Sequence, residues 1–285
     1  MTSPRMRAAL AGLIAGLPHS ASAESPLQTK WQQTPKSISR LVVGSLPVPG
    51  EAPRLIVGVE IHIERDWKTY WRHPGDAGGV PPRFDFSKSQ NLKSANVLFP
   101  VPERISDPSG SLIGYKEHVI FPVEVEAVDP SRPVRLSLAM EFGVCREICI
   151  LAQAQHNLTV RTTKSFSLSP PLYAALERVP RQEQALRPDD PRLKSVAARL
   201  DGPAPGITFD IAYPKGTRKR IDMFVETLSG TNLPLPRKMK SETLDGARFE
   251  VQVPADISPG SLRGRQLRVT LISARGASEY VRTLE

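Results

Sequence analysis

Apolar and polar residues alternate with a period of two over much of this chain. In the run Arg54–Glu64, residues Leu55, Val57, Val59, Ile61 and Ile63 fall on one side, which predicts a strand with one buried face. Comparable runs follow at Ser94–Phe99, Val119–Ala127, Val134–Phe142 and Ile148–Val160, and again at Gly206–Ala212, Ala247–Val253 and Gln266–Ser273. Turn clusters separate them at Pro74–Gly79, Asp107–Gly110 and Asp129–Pro133. In each, proline fixes φ or glycine admits a positive φ. Many short strands at this spacing predict an all-β chain built on an antiparallel sandwich.

The pattern changes after Lys164. Ser165–Pro171 reads as a polar connector, Leu172–Val179 as two helical turns stopped by Pro180, and Leu193–Leu200 as a small helical patch. The expected organisation is a polar arm at 24–36, a β-sandwich at 37–163, a short partly helical linker at 164–205 and a second, smaller β domain at 206–285. The 28 prolines among 285 residues agree, since proline removes an N–H donor and clashes with the preceding helical turn.

The first residues read as an address. Arg5 and Arg7 precede the apolar run Ala8–Leu17, and Ala21-Ser22-Ala23 offers an A-x-A cleavage pattern before Glu24. That is the layout of a secretory signal peptide, expected at 1–23. The run is about half of the ~20 residues that a membrane span needs. An exported chain without membrane insertion is expected, in an oxidising compartment (the periplasm, for a prokaryote) where cysteines can pair. The net charge of +9 is spread along the sequence. Without zinc-finger spacing or an RNA-binding signature, it gives no case for a nucleic-acid partner.

The candidate chemistry lies in Cys145-Arg146-Glu147-Ile148-Cys149, which holds both cysteines of the chain. In one straight strand, residues four apart stand roughly 13 Å apart at ~3.3 Å per residue, beyond the ~7 Å that a disulfide spans. If Arg146–Ile148 turns a corner, the cysteines face each other across a hairpin neck and can join. A structural staple is the default reading of such a pair. Yet a five-residue loop yields only about 2 kcal/mol in the chain-entropy picture, so the spacing suits a bond that is made and broken. A third reading is a soft ion such as Cu(I) held by the thiolates with Met140 or His118 nearby. No second cysteine pair or histidine cluster in the sequence completes a tetrahedral site, and neither a metal site nor a cofactor is assigned. No nucleophile elbow, zinc-protease motif or phosphate-cradling loop appears.

Around the cysteines the chain resembles a known family. Asp66–Gly78 (DWKTYWRHPGDAG), Pro100–Arg104 with Ile113–Val123, and Val144–Cys149 occur in order with sensible spacing. Together they look like the N-terminal periplasmic domain of the thiol:disulfide interchange protein DsbD, especially its ScsB-type (suppressor of copper sensitivity) relatives. The likeness covers roughly residues 37–163. The remainder is similar, more loosely, to the second β region of ScsB-type proteins.

The resemblance implies an immunoglobulin-like sandwich with one redox-active pair. Such a domain takes electrons from a membrane thiol relay (DsbD/CcdA-like) and passes them to periplasmic thioredoxin-fold proteins, as a protein-disulfide reductase-like electron-transfer component. By position, Cys149 would form the mixed disulfide and Cys145 would resolve it. A cap loop would fall near Ser106–Ser111, bringing Asp107 to the site, and Trp71 and Tyr115 occupy places where the family has active-site aromatics. Two departures stand out. Ile150-Leu151-Ala152 replaces the proline that usually follows the second cysteine, and the cap loop carries no aromatic. If the chain ends at Glu285, its electron donor is a separate polypeptide.

Read as residues alone, Arg146 favours a neighbouring thiolate and Glu147 opposes it, and the two nearly offset. Three functions follow for test: a periplasmic dithiol–disulfide carrier, a copper-binding or copper-tolerance module using the same thiols, and a sandwich with a purely structural disulfide.

Overall fold

The computed structural model describes residues 27–107, 110–214, 221–243 and 246–285. The expected signal peptide and the first residues of the arm lie outside them. No helix among the described residues is long and apolar enough to cross a membrane.

Two sheets form the first sandwich. One runs in the order β1 (Gln32–Thr34), β2 (Ser37–Leu46), β3 (Arg54–Ile63), β9 (His118–Ala127), β6 (Leu92–Val97). The other runs β11 (Cys149–Val160), β10 (Val134–Cys145), β4 (Lys68–Gly75), β8 (Gly110–Lys116), β7 (Glu103–Asp107), with β5 (Arg83–Asp85) also paired to β10. Val57, Val59, Ile61, Trp71, Tyr115, Phe121, Leu138 and Phe142 interdigitate between them. The arm is partly structured, because β1 pairs with β2.

β3 departs from its expected single buried face. Its inner residues line the core as predicted, but Ile56 and Gly58 on the other face are buried too. Helix α1 (Pro170–Glu177) covers them, packing Leu172 and Ala175 on Val42, Ile56 and Ile120. Gly58 permits this approach: a Cβ there would stand 2.8 Å from Ile120 and Val42 and 2.9 Å from Leu172.

The second sandwich pairs two further sheets. The first is β12 (Arg181–Gln182), β19 (Ala277–Thr283), β18 (Gln266–Ile272), β15 (Asp222–Thr227), and the second is β13 (Arg192–Arg199), β14 (Gly206–Ala212), β17 (Gly246–Gln252), β16 (Arg237–Thr243). Phe209, Met223, Phe249, Val269 and Tyr280 share their core. The helical patch expected at Leu193–Leu200 is instead strand β13. Its alternate residues Val196 and Ala198 pack on that core while the strand pairs with β14, so a period of two wins over helical propensity.

The sandwiches are welded together. Phe224 and Leu235 of the second join the core of the first, and the Phe224 ring lies 5.6 Å from that of Trp71. Beside it the Arg72 guanidinium stacks on Trp71 at 4.2 Å. It donates to both carboxylate oxygens of Glu226, at 2.8–3.0 Å, and also to Glu279. Arg104 makes a two-pronged pair with Asp222 at 2.7 and 3.0 Å.

Candidate redox site

The ladder between β10 and β11 runs without slippage from Val134↔Val160 to Cys145↔Cys149. Such regularity leaves only Arg146–Ile148 for the turn, where the Arg146 N–H donates to the Ile148 carbonyl at 3.0 Å. The two cysteines are therefore the last cross-strand pair. Their Cα atoms are 4.1 Å apart and their sulfurs are joined in a disulfide. The corner expected from the spacing is there.

The two sulfurs have unequal surroundings. Cys145 is 2% exposed, packed in a small cluster with Tyr70, Ile105 and Leu112. Cys149 is exposed at the start of an edge strand, and Ile148, Leu151 and Val80 beside it present apolar side chains to solvent. Pairs directly opposite in a ladder share one face of the sheet, so Lys68 of β4, opposite Cys145, adds a cation on the side where the sulfurs lie.

The aromatic at the site is Tyr70. Its hydroxyl donates to Cys145 Sγ at 3.0 Å and lies 3.4 Å from Cys149 Sγ. Glycines make room for the ring. A Cβ on Gly143 would come within 3.2 Å of it, and one on Gly79, where φ is +143°, would overlap it. The Gly143 N–H donates to the Val80 carbonyl at 3.0 Å, tying the loop after β4 to the cysteine hairpin.

The other anticipated residues are distributed differently. Trp71 and Tyr115 lie in the sandwich core, outside the cluster that holds Cys145. Alternation along β4 turns Trp71 away from the face that Tyr70 occupies, and Tyr115 donates its hydroxyl to the Pro100 carbonyl at 2.7 Å. Burial pushes the Tyr115 phenol well above its ordinary pKa, so it stays neutral there. Arg146 and Glu147 are exposed on the turn, and the Arg146 guanidinium lies over the Trp67 ring at 5.7 Å. Asp107 ends β7 opposite Gly110, and residues 108–109 of the expected cap lie outside the described residues. Tyr70 and Lys68 were missed from the sequence. The signal for them was parity, since both alternate with Thr69 and Trp71 on a strand whose partner at Lys68 is Cys145.

Residues 48–161 match the family model described as "Thiol:disulfide interchange protein DsbD, N-terminal". The fold superposes on the solved N-terminal periplasmic domain of ScsB from Proteus mirabilis with a TM-score of 0.67 and 19% identity, covering 91% of this chain and 99% of that one. No curated protein sequence matches this chain.

Proposed function

Residues 48–161 of this chain form a DsbD-type N-terminal domain, and from that premise we propose that it is an exported carrier of reducing equivalents working through Cys145 and Cys149. The observation that carries the reading is the asymmetry of the disulfide, with one cysteine exposed at a hairpin tip and the other buried beside the Tyr70 hydroxyl. Attack in thiol–disulfide exchange requires access and thiolate character. The exposure of Cys149 supports partner contact there, and the burial of Cys145 supports the resolving role for it.

In the reduced carrier, the Cys149 thiolate attacks one sulfur of a partner disulfide and the partner's second sulfur leaves as a thiolate. Cys145, deprotonated, then attacks Cys149 Sγ and expels the partner's first sulfur. One disulfide forms in the carrier and one breaks in the partner, so two electrons pass to the partner. A donor dithiol reverses the steps. The donor would be a membrane thiol relay and the acceptors periplasmic thioredoxin-fold proteins. The apolar rim of Ile148, Leu151 and Val80 suits docking of such a fold. Lys68 and the Tyr70 hydroxyl both favour a thiolate at the pair.

The Cys145→Ser variant tests the proposal. Incubated with a periplasmic extract, it should accumulate a mixed disulfide through Cys149 to a thioredoxin-fold protein, released by dithiothreitol and absent from Cys149→Ser. If no adduct forms, and reduction of the wild-type pair does nothing except lower the melting temperature, the bond is a staple and the proposal fails.

A further inference from the structure

On the opposite sheet from the disulfide, the register β3–β9 sets His62 directly across from His118, two histidines that look isolated in the sequence. Their rings stack with centroids 4.3 Å apart. Glu60, two residues before His62 on the same face of β3, completes the group: its Oε1 lies 3.0 Å from His118 Nε2 and 3.3 Å from His62 Nε2. The three candidate ligand atoms all lie within 4.8 Å of one another.

We propose that Glu60, His62 and His118 form a surface site for a divalent transition-metal ion of the Zn(II) or Cu(II) class. Two imidazole nitrogens and one carboxylate oxygen are the donors such borderline ions prefer. The surroundings favour ligation over a simple hydrogen-bonded triad. Arg40 takes the other carboxylate oxygen of Glu60 at 2.7 Å, which fixes Oε1 toward the imidazoles as an outer partner orients a ligand. Glu60 itself is 5% exposed. The two imidazoles retain side-chain exposures of 45% and 37%, which leaves their rings room to turn and an open coordination position toward solvent. Trp31 meets the His62 ring edge-on at 5.1 Å. The site uses no cysteine, so it stands independently of the redox reading.

The experiment titrates the disulfide-bonded full chain, untagged, with Zn(II) against a chromophoric chelator. The expected result is one ion per chain with a dissociation constant on the order of micromolar. The double variant His62→Gln/His118→Gln keeps hydrogen-bonding side chains beside Glu60 and should bind at least tenfold more weakly. Because Trp31 touches His62, Cu(II) should quench its fluorescence in the wild-type chain, and Trp31→Phe should remove that component. This second readout decides the matter even if the double variant is unstable. No binding by 100 μM Zn(II), undiminished binding in the double variant, or Cu(II) quenching that survives Trp31→Phe would each overturn the assignment.

Discussion

Tyr70 is held in place by two absent side chains, those of Gly79 and Gly143, and its hydroxyl is the polar hydrogen aimed at the sulfurs. A hydrogen bond to a charged group is worth ~1.5–3 kcal/mol, equal to roughly one to two pKa units. The Tyr70→Phe variant should therefore raise the pKa of the attacking thiol by about one unit or more, and slow its alkylation at neutral pH. An iodoacetamide rate–pH profile on the reduced chain reads this directly, and an unchanged profile would mean that the hydroxyl does not serve the thiolate. At this scale the cysteines were legible because, between two alternating runs, their spacing rules out a straight strand and lets a corner join them. Tyr70 was not, because the string Tyr70-Trp71 offers two aromatics and only the ladder partner of β4 decides which one shares a face with Cys145. Position in the family pointed to Trp71, which the strand's alternation sends into the core.

Some strands announce themselves by alternation: β3, β6, β9, β10, β11, β14, β17 and β18 lie where a period of two predicted them, whereas β4, β8, β15 and β19, among others, carry no such clear signal. What alternation cannot show is a second cover. The outward face of β3 carries Ile56 and Gly58 because α1 rests on it, a contact between segments more than a hundred residues apart. β13 was misread for a related reason: Leu193–Leu200 holds good helix formers, and only its partner strand makes the alternate positions decisive. The seating of α1 is testable. Gly58→Ala places a methyl 2.8 Å from Val42 and Ile120, and overpacking of this kind costs about 1–3 kcal/mol. Urea unfolding should show that loss while the disulfide still forms. A neutral result would mean that α1 shifts freely on the sheet.

Across the whole molecule, the join between the sandwiches is both apolar and ionic. Arg72 stands between Glu226 and Glu279 with 19% of its side chain exposed. Removing one partner of a buried pair leaves the others uncompensated, so Arg72→Ala should cost about 3 kcal/mol, the low end because some solvent reaches the group. Burial pushes the Glu279 carboxyl upward, but Arg72, Gln182 and Arg268 together outweigh this and hold it below its ordinary value of 4.5. A depressed folded-state pKa gives stability that is present above the unfolded value and lost as the pH falls through the folded one. The stability gap between wild type and Glu279→Gln should thus be widest near neutrality and close progressively below pH 4.5, as followed by thermal melts. A gap independent of pH would remove the charge from the explanation. Arg72 sits two residues from Tyr70 on β4, so the far sandwich braces the strand that presents the hydroxyl to the sulfurs. The ladder ending at Cys145 and Cys149 is itself complete through backbone pairing all the way from Val134 and Val160. Such a frame does not rely on its terminal bond to hold the two strands in register. In the carrier proposed above, electrons would then arrive and depart with little reshaping of the polypeptide, and the driving force for each transfer would be left to the sulfurs and their immediate neighbours.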